Sequence, residues 1–171
     1  MDFLQEGLIK YFGKDYSNYI SSPQQVKEIV LEDVIFEEIE NVDGLEIFTE
    51  LTYLNISGMG VRSIEALKDL KKLQIFYADF CKISDFKPLS ELHDLREIDI
   101  SAPLFCIDNL EPFRNLHNLE KLYVPDHRIK SIKPIFNLKN LKLLSISRNE
   151  VPREEIEEFK LLHKECEVWY Q

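Results

Sequence analysis

The four histidines of this 171-residue sequence are the first candidates for proton transfer, because imidazole titrates near neutral pH. His93, His117, His127 and His163 are scattered along the chain. None belongs to a zinc-protease, nucleophile-elbow, P-loop or dinucleotide-binding motif, and the chain has only five glycines with which to build a phosphate-binding loop. We therefore expect that the protein is not an enzyme and uses no cofactor.

The three cysteines are the next candidates, as nucleophiles or metal ligands. Cys81, Cys106 and Cys166 lie far apart, and an odd number without CxxC spacing argues against a disulfide framework or a zinc site. No apolar run reaches the roughly 18 residues of a membrane span, and the first residues include acids and no basic, apolar leader. We expect a cytoplasmic protein without a metal site, in which Cys81 is a buried thiol.

Tyrosines and acids recur at a regular spacing that is more typical of binding than of catalysis. Tyrosine offers a large contact area, a polar hydroxyl and little entropy loss, and it is enriched at interface hot spots. Strand propensity is the alternative explanation for these tyrosines. The predicted partner-binding residues are Tyr53, Ile75, Tyr77, Asp79, Glu97, Asp99, Lys121, Tyr123 and Leu143.

The elements that position these residues follow from an apolar repeat of 22 residues. Leu54 recurs as Phe76, Ile98, Leu122 and Leu144, with two additional residues before Leu122. Within each unit the spacing changes from alternation to steps of three, which predicts one short strand followed by a 3₁₀ or helical return. No unit buries its apolar edge alone, so the pattern predicts a stacked solenoid. The central outward column of its strands is predicted to face solvent and comprises Val30, Asn55, Tyr77, Asp99, Tyr123 and Ser145.

The second half of the unit carries a family resemblance. Residues 83–89 recur at 107–113 and 129–135, with Pro88, Pro112 and Pro134 in one column. The chain resembles leucine-rich repeat proteins with 22-residue units, as in bacterial internalins and a family of phosphatase regulators. The resemblance implies a right-handed α/β solenoid with a parallel concave sheet and a convex side of short 3₁₀ or helical segments.

The asparagine column of such repeats is mostly occupied by other residues. Only Asn149 conforms, and Met59, Cys81, the region of Phe105 and His127 stand in the other units. We therefore expect that most of the internal asparagine ladder is missing.

Both ends of the sequence read as caps of a single domain, residues 1–171. An N-terminal cap covers residues 1–25 with an amphipathic helix at 2–12, about six repeats cover 26–151, and a helix and a strand form a C-terminal cap at 152–171. Ser22 could start a helix with a capping box, but the apolar phase favours an extended strand from Val26. Trp169 is interpreted as a filler of the cap.

Charge points to the kind of partner. The net charge is −10, with −9 in residues 1–50, +3 in 51–149 and −4 in 150–171. Acidic ends repel nucleic acid and anionic membranes and favour a basic partner, although these acids could equally serve only to solvate exposed faces. We expect a monomer that binds another protein.

The most concrete functional hypothesis is a bacterial inhibitor or immunity protein that covers a basic surface of a toxin or enzyme. A scaffold or regulatory subunit of an enzyme is one alternative. A secreted effector that binds host proteins is another.

Overall fold

A computed structural model describes residues 20–31 and 40–171. In these ranges seven short strands form one sheet in chain order, and each neighbouring pair is parallel. One strand per unit is the architecture that the apolar period predicts. The strands are β1 (Glu28–Val30), β2 (Tyr53–Asn55), β3 (Ile75–Tyr77), β4 (Glu97–Asp99), β5 (Lys121–Tyr123), β6 (Leu143–Ser145) and β7 (Glu167–Trp169).

The middle residue of each strand lies in register with the middle residue of the next. Leu54 pairs with Phe76, and Ile98 pairs with Leu122 in spite of the two additional residues between them. The middle residues of the first six strands are fully buried, so the predicted core column is confirmed. That column comprises Ile29, Leu54, Phe76, Ile98, Leu122 and Leu144.

Short 3₁₀ turns carry the chain back from each strand to the next. Pro88, Pro112 and Pro134 stand in the first turn of three of them. Proline suits this place because its missing N–H would have no partner there, and its fixed φ matches the turn. The 3₁₀ turns are Pro23–Gln25, Leu45–Ile47, Glu65–Asp69, Lys87–Leu89, Glu111–Phe113 and Lys133–Ile135.

The entry to the sheet combines the two alternatives that the sequence offered. Pro23–Gln25 forms a 3₁₀ turn, but the Ser22 side chain makes no capping hydrogen bond, so the alternative of a capping box is not realised. Val26 is extended, and the strand itself begins two residues later, at Glu28. The helix predicted at residues 2–12 lies outside the described residues.

Most of the asparagine ladder is missing, as predicted, but His127 and Cys81 take over part of its role. Asn149 accepts a hydrogen bond from the Ile129 N–H (3.0 Å) and donates to the Val124 carbonyl (2.8 Å). His127 stands one unit earlier and bonds the equivalent backbone groups of its own neighbour.

Cys81, two units before His127, makes half of the same connection. Its buried thiol lies 3.3 Å from the Ile56 carbonyl, and burial raises the pKa of the thiol to about 11. The predicted buried thiol is confirmed. In three units, therefore, a side chain at this position bonds the preceding turn, and that role is not confined to asparagine.

The C-terminal cap is a helix, α1 (Arg153–Leu162), followed by β7, as the sequence predicts. Ile156 and Phe159 on one face of α1 bury against the last repeat. Glu155, in the first turn of the helix, accepts hydrogen bonds from the Ser131 hydroxyl and from the N–H groups of Ile132 and Lys133. The carboxylate thus joins the cap to the last 3₁₀ turn. In the described ranges no helix is long and apolar enough to cross a membrane.

A left-handed residue follows the strand in five successive units. At this position Gly58 has φ 76°, a conformation that glycine adopts without strain. Other residue types pay about 1–2 kcal/mol for it, because Cβ approaches the following carbonyl oxygen. Four units nevertheless carry such a residue, namely Phe80 (φ 55°), Ala102 (φ 46°), Asp126 (φ 63°) and Arg148 (φ 56°).

Candidate protein-binding face

The outward side chains of the sheet lie in three columns, which we call the concave face. The first column holds Glu28, Tyr53, Ile75, Glu97, Lys121, Leu143 and Glu167, and the second holds Val30, Asn55, Tyr77, Asp99, Tyr123, Ser145 and Trp169. The third follows two residues later in the described units, with Ser57, Asp79, Ser101, Pro125 and Ser147. All nine residues predicted for partner binding lie on this face. Their binding role stays a prediction.

Glu97 organises the middle of the concave face. Its carboxylate accepts a hydrogen bond from the Tyr77 hydroxyl (2.6 Å) and another from the Lys121 ammonium group (2.9 Å). The Tyr53 ring meets the Tyr77 ring edge-on, with 5.6 Å between ring centroids. Burial, reinforced by the bond to Glu97, raises the pKa of Tyr77. This group of four side chains is therefore held in place before any partner arrives.

Asp99 lies beside that network, between Tyr77 and Tyr123 in the second column. The carboxylate accepts hydrogen bonds from the backbone N–H of Ser101 (2.9 Å) and from its hydroxyl. Burial raises the pKa of Asp99, and the nearby charges of Asp79 and Glu97 act in the same direction. A cation placed here would relieve both effects, because an opposite charge favours the ionised carboxylate.

Tyr123 and Trp169 form an aromatic pair at the C-terminal end of the face. Their ring centroids are 6.4 Å apart although Ser145 stands between them in the column, and Ser145 is buried. The Trp169 indole N–H donates to the Glu167 carboxylate (2.7 Å), and 46% of the residue is exposed. The interpretation of Trp169 as a cap filler is therefore wrong. Leu144 and Val168 are 24 residues apart, as Ile98 and Leu122 are, and this spacing could have revealed the extra column member.

Two members of the second column do not face solvent as predicted. Asn55 is buried, and its side-chain oxygen accepts a hydrogen bond from the Ser57 N–H (2.9 Å). Ser145 is buried because the rings of Tyr123 and Trp169 approach each other across it. Short polar side chains thus form the floor of the face, with the Tyr77 ring beside Asn55 and the rings of Tyr123 and Trp169 on either side of Ser145.

Away from the concave face, the described surface carries a groove of mixed charge and two exposed histidines. Within residues 20–31 and 40–171 no group of three His, Cys, Asp or Glu side chains is placed to hold a metal ion. A groove of about 1020 Å³ lies on the side of the 3₁₀ turns, where Lys87, Arg128 and Lys130 alternate with acids such as Asp108 and Glu150. His93 and His117 are exposed on the outer side, as predicted from their repeat position.

Comparison with solved structures establishes the type of solenoid. No family model matches the sequence, and no curated protein matches it. An internalin, InlF from Listeria monocytogenes, superposes on 98% of this chain with a TM-score of 0.81 and 23% identity. The chain has a leucine-rich repeat fold. It spans about half of the InlF chain, 49%.

Two further leucine-rich repeat structures give the same result. Internalin C2 from Listeria monocytogenes matches 98% of this chain and 92% of its own with a TM-score of 0.64 and 17% identity. A leucine-rich repeat protein from Leptospira interrogans matches 85% of this chain and 37% of its own, with a TM-score of 0.70 and 21% identity. At these identities the likeness establishes the leucine-rich repeat fold and leaves the partner open.

Proposed function

We propose that this leucine-rich repeat protein recognises another protein through its concave face and performs no catalysis. The observation that supports the proposal is the pairing of partly exposed rings on a preformed sheet, Tyr53 with Tyr77 and Tyr123 with the more exposed Trp169. A solvated sheet face needs no such rings for stability. Large aromatic side chains held in place lose little entropy on binding, and they are the side chains most often found at hot spots.

The charges of the same face favour a basic partner. Glu97, Asp99 and Asp79 lie among the rings, and Lys121 is already paired with Glu97. Burial raises the pKa of Asp99, so its carboxylate gains from a nearby lysine or arginine, which favours the ionised form. A partner presenting that base would be oriented by Asp99 and held by the rings on either side.

The inhibitory form of the proposal has a toxin or enzyme with a basic surface as the partner. Coverage of that surface would block substrate access by steric exclusion, and it would need no group on this protein with an unusual reactivity. The test is whether a captured partner loses its own activity when the purified protein is added in equimolar amount.

Affinity capture from the source cells, followed by mass spectrometry, identifies the partner. The baits are the wild-type protein, Tyr123→Ala, Asp99→Lys and, as a control with the same change of charge, Glu158→Lys on the exposed side of α1. We expect one protein to be recovered with the wild type and the control and to be strongly depleted with the two concave-face variants.

Titration calorimetry with the purified partner then measures affinity. Truncation of a hot-spot ring typically costs about 2 kcal/mol or more, which is at least a roughly 30-fold loss. Equal affinity for wild type, Tyr123→Ala and Asp99→Lys would reject the concave face as the binding site.

A further inference from the structure

Three exposed apolar side chains stand together beside the concave face, and neither the repeat pattern nor the proposed site accounts for them. We call Phe80, Leu104 and Phe105 the apolar rim; they are 54%, 53% and 44% exposed. Phe80 directly follows Asp79 of the third column, so the apolar rim continues the concave face at the ends of β3 and β4.

The additional residues of one repeat build part of this rim. Ile98 and Leu122 pair in register although they are 24 residues apart, whereas Phe76 and Ile98 are 22 apart. Because the strand register is unchanged, the two additional residues have to bulge out of the solenoid. It does so at residues 102–106, where Leu104 and Phe105 extend into solvent.

Backbone hydrogen bonds hold the two segments of the apolar rim next to each other. The Phe80 N–H donates to the Ser101 carbonyl (3.3 Å), and the Leu104 N–H donates to the Cys81 carbonyl (2.9 Å). The Arg62 guanidinium carbon lies 5.5 Å from the centre of the Phe105 ring, so the loop reaches back across a second repeat. The turn that carries Phe80 and the loop that carries Leu104 and Phe105 therefore lie side by side.

Phe80 occupies its position against the preference of the backbone. Its φ of 55° lies in the left-handed region, and the equivalent residue one unit earlier, after β2, is Gly58. A bulky residue held in that region, with its ring half exposed, gains little from burial. The same backbone conformation recurs in the next three units, so what distinguishes Phe80 is the large apolar ring left half exposed at this turn.

We infer that the apolar rim binds an apolar side chain of the partner protein, within a segment that also places a lysine or arginine on Asp79 and Asp99. This inference rests on the proposed function and names the chemistry of the recognised segment. Charge complementarity supports it, because Asp79 adjoins Phe80 and Asp99 bonds Ser101, whose carbonyl accepts the Phe80 N–H. A segment with an aliphatic or aromatic residue one or two positions from a base fits both features at once.

Selection from a displayed library of random twelve-residue peptides tests the inference with a defined probe. The immobilised protein is the wild type, and enriched peptides are then synthesised and titrated by fluorescence anisotropy. The titrated variants are Phe80→Ser, Phe105→Ser and Phe80→Gly, the last of which also removes the backbone strain and so guards against a folding defect. Leu161→Ser, 73% exposed on α1, is the matched control.

We expect enriched peptides to combine a base with an adjacent apolar residue. Their affinity should fall at least tenfold for the rim variants and stay within twofold of wild type for Leu161→Ser. Peptides without that pairing, no enrichment at all, or unchanged affinity for Phe80→Ser, Phe80→Gly and Phe105→Ser would overturn the inference.

The same titrations separate this inference from the proposed function. Loss of affinity with Tyr123→Ala but not with the rim variants would keep the concave face and reject the rim. Loss with the rim variants but not with Tyr77→Phe or Tyr123→Ala would support the rim and count against the concave face.

Discussion

His127 and Asn149 make the same two backbone connections one repeat apart. The His127 Nδ1 atom accepts from the Ile107 N–H (3.2 Å) and its Nε2 atom bonds the Ile100 carbonyl (3.0 Å), just as Asn149 bonds Ile129 and Val124. An Nδ1 that accepts and an Nε2 that donates define the neutral tautomer. Protonation would turn Nδ1 into a donor facing another donor.

This pairing gives the folded protein a dependence on pH. Burial lowers the pKa of His127, and it also lowers the pKa of His163, which stacks on Phe159. The unfolded chain therefore binds protons more readily than the folded one. Above about pH 6.5, the pKa of histidine in the unfolded chain, these two histidines do not reduce the free energy of unfolding. As the pH falls from there through their lowered pKa values in the folded protein, the free energy of unfolding decreases.

The variant His127→Asn restores the usual ladder residue and removes one of these two groups. We expect it to keep the neutral-pH stability of the wild type and to lose less stability between pH 7 and 5, as measured by urea unfolding across that range. His127→Ala, by contrast, leaves the buried Ile107 N–H unsatisfied and should cost about 1–3 kcal/mol at pH 7. His93→Asn, at an exposed site, is the control, and an identical pH profile for His127→Asn and wild type would disprove the assignment.

Ile98 tests the core column. It is fully buried at the centre of the sheet, so Ile98→Ala should lower the free energy of unfolding by roughly 2–5 kcal/mol through lost contacts and the cavity left behind. Ile98→Val, which removes one methylene group, should cost about 0.5–1.5 kcal/mol. Denaturant unfolding measures both, and an unchanged midpoint for the alanine variant is incompatible with the repeat assignment.

The C-terminal cap should be indispensable to the described fold. Removal of residues 152–171 uncovers the apolar surface that Ile156 and Phe159 cover, and we expect aggregation or loss of cooperative unfolding. Glu155→Ala is the milder variant, and loss of its three hydrogen bonds to the last 3₁₀ turn should cost about 1–3 kcal/mol. A truncated protein that stays monomeric and melts cooperatively in light scattering and circular dichroism would show that the cap is an appendage. The sequence makes the same prediction for residues 1–25.

Partner binding should weaken in acid through Asp99. Burial raises the pKa of this carboxyl in the free protein, and a base of the partner would lower it again in the complex. Below the raised pKa the Asp99 carboxyl of the free protein is protonated, so partner binding releases its proton. Affinity should be highest above that pKa and decline as the pH falls through it, beginning above the ordinary value of about 3.9. Asp99→Asn should be weaker at neutral pH and lose this dependence in calorimetry, whereas the exposed Asp94→Asn should keep it.

Phe80 predicts a conflict between stability and binding. Replacement by glycine relieves a left-handed backbone at a half-exposed ring, so Phe80→Gly should raise the free energy of unfolding by about 1 kcal/mol. The same change should weaken the partner complex if the apolar rim contacts it. Thermal melting measures the stability of the variant, and calorimetry measures its affinity for the partner. A Phe80→Gly variant that is less stable than the wild type and binds the partner with unchanged affinity would contradict both expectations.

Sequence periodicity predicted the described strands and their register because each apolar residue of the column has one place in the spiral. Leu54, Phe76 and Ile98 share a spacing, and stacking neighbours leave no alternative that buries all of them. The same period put the nine candidate residues on one face, since strand side chains alternate.

The features that periodicity missed depend on contacts between units of different sequence. His127 replaces asparagine through a hydrogen-bond pattern, and this pattern is visible only when the preceding turn is in place. Ser145 is covered by two rings that meet across it, and Trp169 belongs to a unit whose repeat is otherwise replaced by α1. Leu104 and Phe105 lie in an insertion, where the apolar period does not predict which way a side chain points.

The register between β4 and β5 is unchanged although the connection between them is longer, so the length of this connection does not set the position of the concave face. Residues gained or lost at 102–106 leave every strand where it was, so this loop can diversify while the sheet is inherited intact. A graft of a different loop between Ser101 and Ile107 would then exchange one set of contacts for another on the same scaffold. If the apolar rim binds the partner as inferred, this loop is the place where specificity can change while the strands keep their register.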